Sequence, residues 1–227
     1  MRALTLHSLL LAVALARADE NEAEKLYRGM EKKILAAKSL VVEFDSQNTV
    51  GDKKFTVKGT IHLAEGNKTR LDLESEIFEL GGKNLIVTNG TAKYAKVGEI
   101  VFREGPFPPK GDVFLALIAE FGAAGAALEQ KIATAELNEE FPVTTFKLGP
   151  KEMIGEREAQ VVQYQLENKK LGSLAKMSLW IDTKTGLPLK RTMAEKQDGK
   201  EVRMTETYTV FTVDSNLDDK LFEVPQK

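Results

Sequence analysis

The sequence predicts an α+β fold: a curved antiparallel β half-barrel (an open barrel) with an N-terminal helix and a central apolar helix that covers its concave face. Three observations support this prediction. Runs of alternating apolar and polar residues, separated by short turns, fill most of the chain. Their succession without long connections favours antiparallel pairing within one strongly curved sheet. Two helical patterns interrupt these runs, one near the beginning and one near the middle.

The first residues have the pattern of a cleavable secretory signal peptide. Arg2 gives a positive charge, residues 4–16 are mostly apolar, and Ala16-Arg17-Ala18 has small residues where an A-x-A cleavage site needs them. The apolar stretch is shorter than the roughly 20 residues that a membrane span requires. We therefore expect cleavage of residues 1–18 near Ala18/Asp19 and a periplasmic or secreted location. The alternative is an apolar N-terminal helix that stays in the fold.

The composition argues against several functional classes. The chain has no Cys, so it has no disulfide, no thiol nucleophile and no thiolate metal site. Loss of the signal peptide changes the net charge from −2 to about −4, which argues against a nucleic-acid partner. His62 is the only histidine beyond the signal peptide, so a His-rich zinc site is excluded. We expect one domain over 19–227 with no cofactor, no metal, no transmembrane segment and no enzymatic activity.

Residues 22–38 have the spacing of an amphipathic helix, with one apolar stripe that should lie on the sheet. The stripe comprises Ala23, Leu26, Tyr27, Met30, Ile34 and Ala37. About five or six strands should follow, because Leu40, Val42 and Phe44 begin a series of alternating runs. Asn89-Gly90 within this series is a strong hairpin signal.

The middle of the chain breaks the strand pattern. The proline-rich stretch 105–110 is unsuited to a central strand, and Asp112 has the character of a helix N-cap. Residues 113–128 then predict a helix that is apolar nearly all round, with only Glu120 charged. Such a helix is buried on more than one side, either in a filled core or as one wall of a lipid-sized cavity.

The cavity interpretation assigns five apolar side chains to ligand contact. Four lie on the central helix and one comes from the sheet: Phe114, Leu117, Ile118, Phe121 and Trp180.

The second half of the chain predicts about four or five more strands. Within one of them, Met177, Leu179 and Ile181 share a face, and Trp180 lies opposite. A short helical turn is expected over residues 217–221, near the end of the chain.

No motif indicates catalysis or metal binding. Asp214-Ser215-Asn216-Leu217-Asp218 matches the start of a calcium loop, but Asp219 replaces the required Gly and Pro225 the required Glu. The paired acidic residues along the chain lack the spacing of two carboxyls across one cleft. His62, on an alternating strand, is interpreted as a satisfied structural residue.

Seven segments, taken in order, resemble those of a known family. They include a helix-to-strand junction, an N-G hairpin, an I-D-T-K-T-G-L-P-L turn and an N-L-D-D-K-L-F-E-V-P ending, and they lie at 37–44, 55–63, 67–73, 85–94, 117–119, 180–189 and 216–225. Together they are similar to the periplasmic lipoprotein carrier superfamily, which includes LolA, LolB and RseB. Where the carrier has a lid-locking Arg before Pro-Asn, this chain has Glu65-Gly66-Asn67, and Thr69 and Leu71 replace carrier aromatics.

The resemblance implies a half-barrel whose concave face is plugged by helices and binds lipids or the acyl chains of lipoproteins. It does not carry over the lid mechanism, because the lid-locking residues differ. The expected function is therefore an exported lipid- or acyl-chain-binding protein in lipid or lipoprotein transport. The alternative is a protein-interaction or sensor module on the same fold, with an envelope protein as partner and no bound lipid.

Overall fold

The computed structural model describes residues 22–34, 36–66, 68–76, 82–91, 93–97, 100–104, 142–169, 172–197 and 199–225. These ranges contain one α-helix, α1 (22–34), eleven strands and a 3₁₀ helix, Asp219–Phe222. The strands are β1 (Ser39–Val50), β2 (Lys53–Ala64), β3 (Lys68–Ser75), β4 (Gly82–Asn89), β5 (Lys93–Val97), β6 (Ile100–Glu104), β7 (Val143–Ile154), β8 (Arg157–Asn168), β9 (Ser173–Asp182), β10 (Pro188–Gln197) and β11 (Lys200–Val213). The predicted signal peptide lies outside these residues.

All eleven strands form one open antiparallel sheet in the order β6-β5-β4-β3-β2-β1-β11-β10-β9-β8-β7. Consecutive strands pair from β1 to β6 and from β7 to β11, and the two halves join at the centre, where β1 pairs with β11. The edges are β6 and β7, and residues 105–142 join them covalently. The predicted open antiparallel half-barrel with an N-terminal helix is thus confirmed. The predicted central helix 113–128 lies outside the described residues and stays a prediction.

The two faces of the sheet follow from the alternation of side chains along each strand. In β1, Leu40, Val42 and Phe44 are buried, whereas Glu43 between them is exposed. We call the face that carries these apolar residues and α1 the inner face, and the opposite one the outer face. The main apolar core lies on the inner face and includes residues from α1 and from strands in both halves of the sheet.

Helix α1 buries the predicted apolar stripe against the inner face. Tyr27 is the anchor: the centroid of its ring lies 4.9 Å from that of Tyr164 on β8 and 5.2 Å from that of Phe146 on β7. The guanidinium of Arg28 lies 5.5 Å from the ring centroids of both Tyr27 and Phe146. At the other end of the helix, Lys33 Nζ donates to the carbonyl oxygen of Thr185, 2.6 Å away. None of the helices in the described part of the chain is long and apolar enough to cross a membrane.

The β9–β10 turn that receives Lys33 is organised by the buried carboxylate of Asp182. Its Oδ1 accepts hydrogen bonds from the backbone N–H groups of Lys184, at 2.7 Å, and Thr185, at 2.9 Å. Burial opposes ionisation of this carboxyl, but these two hydrogen bonds and the charge of Arg157 outweigh it. The net effect lowers the pKa of Asp182 below its usual 3.8.

Replacing Asp182 with Asn should therefore remove a pH-dependent part of the stability. A lowered pKa in the folded state stabilises the protein above the unfolded-state pKa, and this contribution is lost as the pH falls below it. We expect wild type to be more stable than Asp182→Asn by about 1 kcal/mol at neutral pH. The difference should shrink as the pH falls through 3.8. Urea unfolding at neutral and acid pH measures it, and a pH-independent difference would contradict the assignment.

After β11, the chain turns onto the outer face and is pinned first to β1. Asp214 N donates to the carbonyl oxygen of Ser39 at 2.9 Å, and Asp214 Oδ1 accepts from the backbone N–H of Lys38 at 2.8 Å. The hydroxyl of Ser39 then donates to the carbonyl oxygen of Ser215 at 2.6 Å. These contacts involve the residues of the calcium-like motif, so Asp214 serves here as a turn-capping acceptor.

The same segment ends on β3 and β4, two strands further along the sheet. Lys68 Nζ lies 2.7 Å from Asp219 Oδ1, and Arg70 Nη1 donates to the carbonyl oxygen of Leu221. The side chain of Phe222 is only 1% exposed. The 3₁₀ helix therefore docks on the outer face through an apolar residue and two basic ones, in agreement with the predicted C-terminal helical turn.

Candidate functional site

A continuous apolar row crosses the inner face of the first half of the sheet. The residues that pair in register from β1 to β5 are Val42, Ile61, Leu71, Ile86 and Ala95. All five are buried, and none carries a polar group. At about 4.8 Å between adjacent strands, the row is roughly 19 Å across. The row therefore offers only hydrocarbon contacts.

The neighbouring row shows how closely this surface is packed. Gly59 on β2 pairs with Phe44 on β1 and with Leu73 on β3. A Cβ on Gly59 would lie 2.6 Å from Leu73 Cδ2, 2.7 Å from the carbonyl oxygen of Asp72 and 2.8 Å from Phe44 Cζ. The position accepts only glycine, because the flanking apolar side chains close over it.

The aromatic contacts of α1 lie in the other half of the inner face, at β7 and β8. The row from Val42 to Ala95 is thus separated along the sheet from the strands that hold Tyr27. Four of the predicted ligand contacts lie outside the described residues, and they are Phe114, Leu117, Ile118 and Phe121.

Trp180, the fifth predicted contact, is placed on the outer face. It belongs to a small apolar cluster with Val161 and Leu189, separate from the main core that contains its chain neighbours Leu179 and Ile181. Its Nε1 donates to Glu152 Oε2 at 2.7 Å, and Lys190 Nζ lies 4.6 Å from the ring centroid. Successive strand residues point to opposite faces. Trp180 therefore cannot share the inner face with Leu179, and this corrects the expectation that it contributes to the same cavity.

A buried polar group interrupts the apolar inner face where β10, β11 and β1 meet. Arg191 is 3% exposed and Glu206 is fully buried. Arg191 Nη2 lies 3.2 Å from Glu206 Oε2, and the hydroxyl of Tyr208 donates to the same oxygen at 2.8 Å. Burial, together with the charge of Glu206, raises the pKa of Tyr208 well above its usual value, so the hydroxyl remains a donor.

The sequence signals this group through its periodicity and not through a motif. In β11, Met204, Glu206 and Tyr208 are spaced by two, so a carboxylate stands at a core-facing position of an alternating strand. A charged residue in such a position is rarely buried without a partner. The partner, Arg191, lies on the adjacent strand in direct register.

The outer face of β1 to β5 has a shallow groove of about 600 Å³ with mixed charges. Its charged lining residues are Glu43, Asp45, Lys58, Asp72, Glu74, Lys83 and Lys96, and Asp45 is paired with Lys58 at 3.0 Å. Because four acidic and three basic side chains line it, the groove favours neither an anionic nor a cationic ligand. In the described ranges, no cluster of three His, Asp or Glu side chains could hold a metal ion.

His62 is also on the outer face, in register with Val41 on β1 and Arg70 on β3. Its Nδ1 is buried and makes no hydrogen bond in the described structure. Burial, the largest effect, lowers the pKa of His62 below 6.5; Arg70 acts in the same direction, and Asp72 and Glu43 oppose it. The expectation that His62 is fully satisfied is therefore wrong for Nδ1.

No protein-family model and no curated protein matches the chain. Similar solved structures include LprF from Mycobacterium bovis, at 14% identity and TM-score 0.49, covering 86% of this chain and 97% of that one. The MucA/MucB complex from Pseudomonas aeruginosa has 12% identity and TM-score 0.43, covering 90% of this chain and 61% of that one. A protein from Nitrosomonas europaea has 12% identity and TM-score 0.38, covering 89% and 97%. This last protein is a member of the LolA superfamily.

Proposed function

We propose that this protein is an exported binding protein that holds an acyl chain or lipid between the inner face of its half-barrel and the predicted helix 113–128. The observation that carries the proposal is the apolar row from Val42 to Ala95, which crosses five adjacent strands without a polar side chain. Export rests on the predicted signal peptide at residues 1–18.

The energetics of apolar burial fit such a ligand. Each methylene group removed from water contributes about 0.8 kcal/mol, so even part of an acyl chain binds without a charged anchor. An acyl chain laid across the row would contact a different strand with each successive part of its length. This mode of binding requires no catalytic group and no metal.

The connectivity of the chain supports the predicted helix as the second wall of the cavity, opposite the inner face of the sheet. Residues 105–142 begin at the edge strand β6 and end at the opposite edge strand β7. They therefore have to connect the two sides of the open sheet. The apolar helix predicted within this connection would place Phe114, Leu117, Ile118 and Phe121 as ligand contacts.

A charge introduced on the predicted helix should abolish ligand retention. We expect the mature protein, purified gently from the periplasm, to carry a lipid that native mass spectrometry detects and organic extraction identifies. In Leu117→Glu the carboxylate would face hydrocarbon, at a desolvation cost of several kcal/mol, so the bound fraction should fall at least about tenfold. Circular dichroism checks that the fold is retained.

Leu174→Glu is the matched control, because Leu174 is 48% exposed on β9 and undergoes the same chemical change. It should retain the lipid. A wild-type protein that carries no lipid and takes up no fluorescent fatty acid would contradict the proposal. That result would favour the alternative of a protein-interaction or sensor module with a filled interior.

A further inference from the structure

The C-terminal segment, residues 214–225, passes over the strand that carries His62. It is fixed to β1 by the Ser39–Ser215 hydrogen bond and to β3 by the Lys68–Asp219 ion pair. Because β2 lies between β1 and β3, residues 216–218 must cross β2 on the outer face. They do so near Ala64, which pairs with both Ser39 and Lys68 and is two residues from His62.

An apolar patch lies on the outer face next to His62. Arg70 pairs with both His62 and Val87, and Val87 pairs with Tyr94. Val87 is fully buried and Tyr94 nearly so, although both face away from the main core. Among the described elements, the 3₁₀ helix with its buried Phe222 lies against β3 and β4 on this face.

The docked position of the segment suits only a neutral imidazole at His62. A neutral ring can leave Nδ1 without a proton, whereas an imidazolium carries N–H donors on both nitrogens. In the docked state the Nδ1 donor would be buried without an acceptor, and the new charge would lie beside the guanidinium of Arg70. A buried charged donor without a partner is strongly unfavourable.

We propose that His62 is a pH-sensitive latch: its protonation releases the C-terminal segment from the outer face and uncovers the outer face of β3 and β4 around Val87. Release allows water to reach Nδ1 and satisfy the second donor. The latch is independent of ligand binding on the inner face, because it acts on the opposite side of the sheet.

The charged groups around His62 determine how strongly its protonation is opposed in the docked state. Arg70 on β3 opposes protonation, whereas Asp72 on β3 and Glu43 on β1 favour it. Asp72 is itself engaged by Arg70, with Nε 2.6 Å from Oδ2 and Nη2 3.0 Å from Oδ1. From the C-terminal segment, Asp219 is paired with Lys68, and Lys220 and Glu223 are exposed.

The sign of the pH dependence follows from this arrangement. The pKa of His62 is lower in the docked state than its usual 6.5. Docking is therefore at full strength above that value and weakens as the pH falls below it. No other histidine follows the predicted signal peptide, so His62 is the only imidazole that can titrate in this range.

Hydrogen exchange on the mature protein tests the latch. Protection of the amides in residues 217–222, corrected for intrinsic exchange, should fall by about tenfold or more between about pH 7.5 and about pH 5. Protection in β8 and β9 should stay constant. His62→Gln, which cannot be protonated, should keep the segment protected at both pH values. Phe222→Ala should lack this protection at both pH values. It therefore gives the exchange expected of the released segment.

Three outcomes would overturn the proposal. Equal pH dependence in wild type and His62→Gln would show that another group titrates, and unchanged protection in wild type would show that the segment stays docked. Parallel loss of protection in β8 and β9 would indicate global acid unfolding, which is also incompatible with a local latch. The ring protons of His62 provide a direct readout, because NMR should give an apparent pKa in wild type that rises in Phe222→Ala.

Discussion

Glu206→Ala should destabilise the protein by about 3–5 kcal/mol, because it removes the carboxylate that faces Arg191 in the interior. The guanidinium of Arg191 is 3% exposed and lies 3.2 Å from that carboxylate. The hydroxyl of Tyr208 also loses its acceptor. Urea unfolding followed by circular dichroism measures the change in the free energy of unfolding. A loss below about 1 kcal/mol, the range of exposed ion pairs, would contradict this account of the group.

The control is simultaneous replacement of both charges by apolar residues of similar size. A buried ion pair repays its desolvation only in part, so well-packed hydrophobic residues often substitute for it with little loss. Arg191→Met combined with Glu206→Leu should therefore be much closer to wild type than Glu206→Ala. If the double variant is as unstable as the single one, the side-chain volumes and not the unpaired charge explain the loss. The double variant also tests whether the pair fixes the register of β10 against β11.

Gly59→Ala should have the second large effect, a destabilisation of about 3 kcal/mol. The added methyl group would lie within 3.0 Å of Leu73 Cδ2, Phe44 Cζ and the carbonyl oxygen of Asp72. The carbonyl oxygen belongs to the adjacent strand and cannot rotate away, so the strands themselves have to separate. Thermal unfolding and urea unfolding both report the change.

Gly29→Ala is the matched control for that substitution. Gly29 is on the exposed side of α1, and a Cβ there would have no heavy atom within 4 Å. Alanine is favoured over glycine within a helix by about 0.5–1 kcal/mol, so this variant should be more stable than wild type. If Gly59→Ala lowers the free energy of unfolding and Gly29→Ala raises it, packing at Gly59 and not glycine content determines the result. A stable Gly59→Ala would mean that β2 and β3 are less closely packed than described.

The sequence alone was sufficient to predict the local elements of the fold. The apolar stripe of α1, with Tyr27 and Ile34, and the alternation in β1 identify the buried faces that the structure shows. The hairpin at Asn89-Gly90 likewise follows from its turn residues, and Gly90 has the positive φ that such a turn requires. These features depend on residues close together in the chain, so their pattern is readable directly from the order of side chains.

The site was predictable only in part. Periodicity placed Trp180 opposite Leu179, but it gave no indication of which of the two faces belongs to the inner side. The structure decides this through the aromatic packing of Tyr27 on Tyr164 and through the cluster that holds Trp180 against Val161. Similarly, Glu206 stands out in the alternation of β11, yet its partner depends on the register of β10.

The sequence by itself determined where strands, turns and the amphipathic helix occur and that the chain has no thiol chemistry. Tertiary structure decided the pairing of β1 with β11, the burial of Arg191 beside Glu206, and the passage of residues 216–218 over β2. The physical reason is the separation in sequence between the residues that interact. Local periodicity follows from backbone geometry over a few residues, whereas contacts between distant strands depend on which packing of the whole sheet excludes the most water from its apolar faces.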